Sequence, residues 1–407
     1  EAAAPAVSEN PSRSARRAIV LVIDACGVGA LDDAAAYGDA GTNTLAHLAQ
    51  ELGGLHLPTL ESLGLGSILP LLGVPPARDP VIHGRLHPLG PGKDSISGHW
   101  ELMGVTLERP LPTYPDGFPQ EVVELLESSM GHGVICNRPD NGLAAIEEFG
   151  AEHLSTGALI LYTSQDSVLQ LAAHVERVGV KELYRACAAA RAVMSGEHAV
   201  GRVIARPFTG GEGAFERTDG RRDFALRPPT RSYLQELVDG GVEVHGVGKI
   251  SDLFAEVGVS ESHPGATNAS ALDSVDGLMG SFEHGLVFVN LIETDQVYGH
   301  RKDMEGFARA LREIDERLAG MLERLRTDDL LVVTADHGVD PTHPGTDHTR
   351  EHAPLLALTG TMLASRASGT QMGGVRHDGL LADVGASVLR WLTGSEADAL
   401  PGAPFVS

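Results

Sequence analysis

The sequence is poor in cysteine and in positive charge. Its three cysteines, Cys26, Cys136 and Cys187, are odd in number and far apart, which argues against a disulfide framework or a paired zinc motif and favours a reducing, cytoplasmic setting. Lys and Arg number 31 against 55 Asp and Glu, a formal charge of −24. Such a chain has no electrostatic means of tracking a nucleic-acid backbone, so nucleic acid is not expected as a partner. A phosphate-bearing ligand would be repelled by the global field and would need bound cations or a few placed Arg and Lys residues. Long hydrophobic runs are missing as well. The most apolar stretch, Leu57 to Pro76, is interrupted by Glu61 and by several Pro and Gly, which makes it a poor membrane span. Residues 1–17 lack the apolar core of a secretion signal and carry Arg at the wrong end, so they read as a disordered tail. No internal repeat or low-complexity tract is present, and the sequence carries no signature of oligomeric state.

What is there fits a sizeable globular enzyme: 407 residues, 42% hydrophobic and 21% charged, enough for two or three domains around substantial cores. The run AIVLVI at 18–23 is short, apolar and β-branched, as expected of a strand buried on both faces. Asp24 follows it. LVFVNLI at 286–292 ends just before Asp295, and LLVVTA at 330–335 ends at Asp336 and His337. Three strands that stop at potential ligands predict a site beyond the carboxyl ends of an open α/β sheet. Between the last two, Met304, Phe307, Leu311, Ile314, Leu318 and Leu322 recur at helical spacing among charges, predicting an amphipathic crossover helix and a doubly wound core. The middle of the chain, 105–226, holds strand candidates LILYT at 159–163 and RVIAR at 202–206, and reads as an α/β insert. It divides a core of 18–104 and 227–407, with RPLPTYPDGFP and ALRPPT marking the borders.

The chemistry concentrates in the C-terminal half. ETDQVYGHRKD supplies Asp295 and His300, TADHG supplies Asp336 and His337, and GTDHTRE supplies His348. With Asp24 these make three carboxylates and three imidazoles, a mixed set that suits Mn²⁺, Zn²⁺ or Fe²⁺ and is large enough for two ions. Asp340, His343 and Asp347 lie close by in sequence and compete for the assignment. A nucleophile is offered by GKDSISGHWELMG, where Ser95 and Ser97 are both candidates. A serine hydroxyl needs a base or a metal to activate it, and either serine could instead cap a helix.

These motifs, together with VIDACGVGALDDAAAYGDAGTNTL, YTSQDSVLQLAAH, GVGKISDLF and TADHGVDPTHPGTDHTRE, resemble those of phosphopentomutases of the alkaline phosphatase superfamily. The likeness spans nearly the whole chain. The metal motifs are shared with neighbours such as cofactor-independent phosphoglycerate mutase, whereas the GHWE, YGHR and GTDHTRE blocks together are narrower. The resemblance implies a core with an inserted cap domain, two Mn²⁺ ions and a phosphorylated hydroxyl at Ser95, a position that usually holds Thr. It implies one ion on Asp295, His300 and His348, and the other on Asp24, Asp336 and His337 beside Ser95. Ser164, Asp166, Arg202, Arg217 and Lys249 become the sugar and phosphate contacts. The expected reaction interconverts ribose or deoxyribose 1-phosphate and 5-phosphate through a 1,5-bisphosphate, in nucleoside salvage or catabolism, with a bisphosphate sugar as activator. Two departures from the pattern stand beside ligands. Cys26 lies in DACG, where it is expected to pack in the core, and Glu293 lies in ETD. The rival readings are a metal-dependent phosphatase or another mutase of the same superfamily and, more remotely, a metal or sugar-phosphate binding protein without catalysis.

Overall fold

The computed structural model describes residues 16–164, 166–370 and 374–407. Residues 1–15, most of the expected tail, lie outside the described residues, as does Gln165 within the YTSQD motif. Contacts divide the chain into two compact units, one built from residues up to Arg109 and from Pro228 onward, the other from Pro110–Arg227. The sequence pattern predicts these borders at 104/105 and 226/227. Among the described residues no helix is long and apolar enough to cross a membrane.

In chain order the strands are β1 (Arg17–Ile23), β2 (Ile82–His87), β3 (Val134–Pro139), β4 (Leu159–Thr163), β5 (Val168–His174), β6 (Arg202–Thr209), β7 (Glu216–Arg217), β8 (Arg222–Ala225), β9 (Val244–Val247), β10 (Glu261–His263), β11 (Gly285–Leu291), β12 (Asp329–Thr334), β13 (Ala353–Thr359) and β14 (Gly379–Leu380). The first unit holds an eight-stranded sheet in the order β10-β9-β11-β1-β12-β13-β2-β14. Its β10-to-β12 half is parallel, while β13 runs antiparallel to both β12 and β2. The sheet is therefore mixed, and its parallel half carries the βαβ unit that the sequence pattern predicts for a doubly wound α/β core. The helix Met304–Arg324 connects β11 to β12, and β1 lies between those two strands.

β1, β11 and β12 are buried along their whole length, which is why each reads as a continuous apolar run rather than an alternating one. β1 opens one residue earlier than its apolar run, at Arg17, which the sequence pattern alone places in the tail. Its guanidinium is fully buried, 2.6 Å from Asp329 Oδ2, and donates to the carbonyls of Met279 and Phe282 at 2.9 Å. A charge survives burial only with this kind of saturation.

The second unit has a mixed sheet in the order β3-β4-β5-β6-β7, with β8 also pairing with β6. One face packs Leu159, Leu161, Leu169, Leu171, Val203 and Ala205 beneath the helices Gln120–Met130 and Val180–Val193. On the other face Ile160, Tyr162, Ala172 and Phe208 meet Ala145 and Ile146 of the helix Gly142–Thr156.

Candidate metal centre and nucleophile

The parallel register places the three central strand ends side by side: Val22 pairs with Asn290 on one side and with Thr334 on the other. The residues that follow these ends, Asp24, Asp295, Asp336 and His337, are all buried. His337 Nε2 lies 3.3 Å from Asp24 Oδ1 and 3.3 Å from Asp336 Oδ2. Asp295 sits on a π-helical turn, Thr294–Gly299, directly after β11. Its Oδ1 lies 3.4 Å from His300 Nε2 and 3.6 Å from His348 Nε2. Asp295, His300 and His348 can turn ligand atoms to within 4.8 Å of one another, and so can Asp24, Asp295 and His337. Five of the six residues predicted from the sequence thus fall into two overlapping groups that share Asp295, and the sixth, Asp336, falls into a further group with Asp24 and His99.

Three carboxylates in so small a buried volume are an electrostatic deficit. Burial disfavours a charged imidazole at His337, yet Asp336, Asp24 and Asp295 outweigh it and draw its pKa well above the ordinary value. Asp295 Oδ1 is buried without a hydrogen-bond partner among the described residues, a situation that costs roughly 1–3 kcal/mol unless something compensates. The donor set, buried carboxylates and imidazoles with an orphaned oxygen on Asp295, fits a pair of divalent cations.

Ser95 opens the helix Ser95–Leu102, whose N-cap is Asp94. The Asp94 carboxylate accepts from the Ile96 and Ser97 amides at 3.0 and 3.1 Å, and Ser97 Oγ donates back to it at 2.8 Å. Ser97 is thereby consumed in a capping box. Ser95 is not: its Oγ lies 3.0 Å from His337 Nε2 and 3.4 Å from Asp24 Oδ1. The helix approaches this closely because Gly98 faces the Asp336 backbone, where a Cβ would stand 2.7 Å from the Asp336 carbonyl oxygen. The loop before Ser95 is held from two sides. Glu101 accepts from the Leu89 and Gly90 amides at 2.5 and 2.8 Å, and Arg350 donates to the Gly92 carbonyl at 2.7 Å.

Two residues of this centre escape sequence reasoning. His99, fully buried, sets its Nδ1 3.0 Å from Asp336 Oδ2 and 2.9 Å from the Ser95 carbonyl. Asn290 of β11 donates from Nδ2 to Asp24 Oδ2 at 2.7 Å and lies 3.2 Å from His99 Nε2. These contacts assign the proton of His99 to Nδ1 and leave Nε2 to accept from Asn290. Both residues orient carboxylates of the cluster, as partners behind metal ligands generally do. The signal for Asn290 was present as the lone polar residue in an apolar run.

The competing residues have other work. Asp340 accepts from the Asn43 and Thr342 amides at 2.7 and 2.8 Å and lies 2.6 Å from His47 Nδ1. His343 Nε2 is 3.0 Å from the Gly38 carbonyl, and Asp347 is 3.4 Å from Lys93. Glu293 exchanges hydrogen bonds with Asn268, accepting from its amide at 2.6 Å, so this departure from the motif serves the start of the helix Asn268–Ser281. Cys26 is buried in an apolar pocket with Leu45, Leu60 and Val333. Burial, reinforced by Asp24, pushes its thiol pKa well up, which leaves it unreactive. Ala25, between Asp24 and Cys26, takes a left-handed φ of 63° and donates its amide to Asp336 Oδ1 at 3.2 Å.

Of the expected substrate contacts, Lys249 lies in the first unit and donates to Gln296, the neighbour of Asp295, at 2.7 Å. The others lie in the second unit. Arg202 begins β6, with Nη1 3.8 Å from Asp223 and a buried Nε that has no hydrogen-bond partner among the described residues. Arg217 is exposed on β7, and the Asp166 amide donates to Ser164 Oγ at 3.3 Å.

The sequence pattern of the metalloenzyme superfamily matches residues 16–395. The phosphopentomutase of Caldanaerobacter subterraneus subsp. tengcongensis is 47% identical over 355 residues, covering 87% of this chain and 90% of that protein. The phosphopentomutase of Anaeromyxobacter sp. strain K is 46% identical over 386 residues, covering 93% and 99%. That of Carboxydothermus hydrogenoformans is 48% identical over 342 residues, covering 84% and 88%. With matches of this depth along most of both chains, and a buried Asp and His cluster at the sheet edge, this chain belongs to the phosphopentomutase family of the metalloenzyme (alkaline phosphatase) superfamily.

Proposed function

We propose that this chain is an intramolecular phosphotransferase that interconverts the 1-phosphate and 5-phosphate of ribose or 2-deoxyribose in the cytoplasm, with Ser95 as the residue that carries the phosphoryl group. The observation that supports Ser95 is its hydroxyl, set 3.0 Å from His337 and 3.4 Å from Asp24 while Ser97 is tied into the cap. Asp295, His300 and His348 would hold one divalent cation, and Asp24, Asp336 and His337 the other, Mn²⁺ being suited to this donor set. Bound there, the pair would lower the pKa of the serine hydroxyl and neutralise charge on the phosphoryl oxygens.

Phosphoserine 95 gives its phosphoryl group to O1 of the pentose 5-phosphate. The P–Oγ bond breaks, the P–O1 bond forms, and the proton lost by O1 ends on Ser95 Oγ. The resulting 1,5-bisphosphate turns end for end. Ser95 Oγ then takes the phosphoryl group from O5, returns the proton to O5 and leaves the 1-phosphate. His99 and Asn290 keep Asp336 and Asp24 aimed throughout. A bisphosphate sugar serves as activator by phosphorylating a free Ser95. Ser164, Asp166, Arg202 and Arg217 of the inserted unit are proposed as substrate contacts, as is Lys249 of the first unit. The partnerless Nε of Arg202 supports an anion there, since a guanidinium fork is well matched to a phosphate.

A coupled assay with Mn²⁺ tests this reading, following ribose 5-phosphate formed from α-ribose 1-phosphate beside release of free phosphate. Interconversion that Ser95→Ala abolishes is the expected result. Dominant phosphate release would instead make the enzyme a phosphatase, and unaltered turnover in Ser95→Ala would remove Ser95 from the mechanism.

A further inference from the structure

A second cluster of metal-ligating side chains stands on β9 and β10, apart from the strands that carry the catalytic ligands. The two strands are parallel, with Glu261 opposite His245 and His263 opposite Val247. Alternation along a strand therefore puts His245, Glu261 and His263 on one face. The two imidazoles stack at 5.0 Å with a 13° interplanar angle, and His245 Nδ1 lies 2.8 Å from His263 Nε2. Glu261 Oε1 is 3.8 Å from the same His263 nitrogen, and one ligand atom from each residue falls within 4.8 Å of the others.

The tautomer is set from outside. Glu243 Oε2 lies 3.4 Å from His245 Nε2, so the proton belongs on Nε2 and the Nδ1 lone pair faces His263. A carboxylate behind an imidazole is the usual device that raises a ligand's basicity and fixes its orientation. The Phe282 and His245 ring centroids are 4.2 Å apart, while the Glu243 and Glu261 side chains are 69% and 64% exposed, leaving the carboxylates of the cluster open to ions.

We propose that His245, His263 and Glu261 form a third metal site, one for a borderline transition ion of the Zn²⁺ class, with Glu243 as the positioning residue for His245. Two imidazoles and a carboxylate favour such an ion over Mg²⁺ or Ca²⁺. Its role is structural. β10 is a three-residue edge strand, and the His263 carbonyl accepts from the Gly248 amide at 3.3 Å. An ion across the pair would fasten this edge next to Lys249.

The test loads the catalytic centre with Mn²⁺, adds Zn²⁺, removes unbound metal by gel filtration and measures both metals. The wild-type enzyme should retain an extra equivalent of Zn²⁺ with its Mn²⁺ unchanged. His263→Ala and His245→Gln should lose that equivalent while keeping Mn²⁺ and mutase turnover. Glu243→Gln should still bind Zn²⁺, but about tenfold more weakly, and Zn²⁺ should raise the thermal midpoint of the wild type and not of His263→Ala. Equal Zn²⁺ retention in His263→Ala, Zn²⁺ taken up only as Mn²⁺ is displaced, or an unchanged affinity in Glu243→Gln would each overturn the site.

Discussion

Ser95 Oγ and His337 Nε2 are 3.0 Å apart, and this contact separates two serines between which the local sequence alone does not choose. Ser97 faces the opposite way, into the Asp94 cap. Ser97→Ala should therefore leave the site of phosphorylation intact and lower stability by about 1 kcal/mol, the net value of a typical lost hydrogen bond. Ser95→Ala should abolish phosphorylation with little change in stability, and Ser95→Thr should retain it because the hydroxyl survives. Mass spectrometry of enzyme treated with the bisphosphate activator, beside thermal unfolding, reads both effects. Phosphate appearing on Ser97 would reverse the assignment.

Asn290 donates to Asp24 Oδ2, so Asn290→Leu removes the donor that orients this oxygen of the carboxylate and the amide that links it to His99. Loss of such an orienting partner typically weakens metal binding by 10–100-fold, roughly. The expected phenotype is a higher Mn²⁺ requirement for turnover, with turnover recovering at saturating Mn²⁺. The same logic predicts that chelation destabilises the wild type. Mn²⁺ at 100 times its dissociation constant should restore about 2.7 kcal/mol per site, visible as a rise in the thermal midpoint. Mn²⁺ affinity in Asn290→Leu equal to that of the wild type would show that Asp24 needs no such support.

The strand ends were legible because strands buried on both faces are written as unbroken apolar runs, and a charged residue that ends such a run is conspicuous. Asp24, Asp295 and Asp336 were found that way. His99 was not, because a buried histidine inside a short helix has no distinctive spacing; only its contacts with Asp336 and Asn290 reveal it. Glu293 looked like a disturbance beside a ligand and is instead paired with Asn268, a relation fixed by tertiary packing. The antiparallel half of the sheet was obscured because β2, IHGRLH, alternates in polarity and carries a glycine. That glycine faces the His377 carbonyl, where a Cβ would stand 1.8 Å away. Arg17 was unreadable for the simplest reason: its partner Asp329 lies 312 positions away.

That pair supplies a stability prediction. Arg17 and Asp329 are both wholly inaccessible to solvent, and removing Arg17 takes from the buried Asp329 its buried partner, leaving it the partly exposed Arg326 at 3.0 Å. Breaking a buried pair in this way costs about 3–5 kcal/mol. Arg17→Ala carries the further loss of donors to the Met279 and Phe282 carbonyls. Chemical denaturation should show a loss of that size for Arg17→Ala, while an exposed pair such as Arg376 and Asp378 should change stability by no more than about 1 kcal/mol when Arg376 is replaced by Ala. Equal effects at the two positions would mean that the buried pair is not a keystone of β1.

Arg202 offers the sharpest test of the substrate. It is tied to its surroundings only loosely, through a 3.8 Å approach to Asp223, and its buried Nε lacks a partner among the described residues. A guanidinium held this way on β6 contributes little to packing, so its replacement should spare the fold and the metal centre. A hydrogen bond to a charged group is worth about 1.5–3 kcal/mol, which corresponds to a loss of roughly 10- to 150-fold in kcat/KM for Arg202→Ala with Mn²⁺ content unchanged. Arg202→Lys should recover only part of this loss, because an ammonium restores the charge without the two-point fork. A phosphatase that merely tolerates pentose phosphates would respond differently: simple phosphate esters would be hydrolysed by Arg202→Ala as fast as by the wild type. Measuring both substrates on the same preparations separates a site built for a phosphosugar from a general phosphoryl-transfer centre, and unaltered pentose-phosphate turnover in Arg202→Ala would place the phosphate elsewhere.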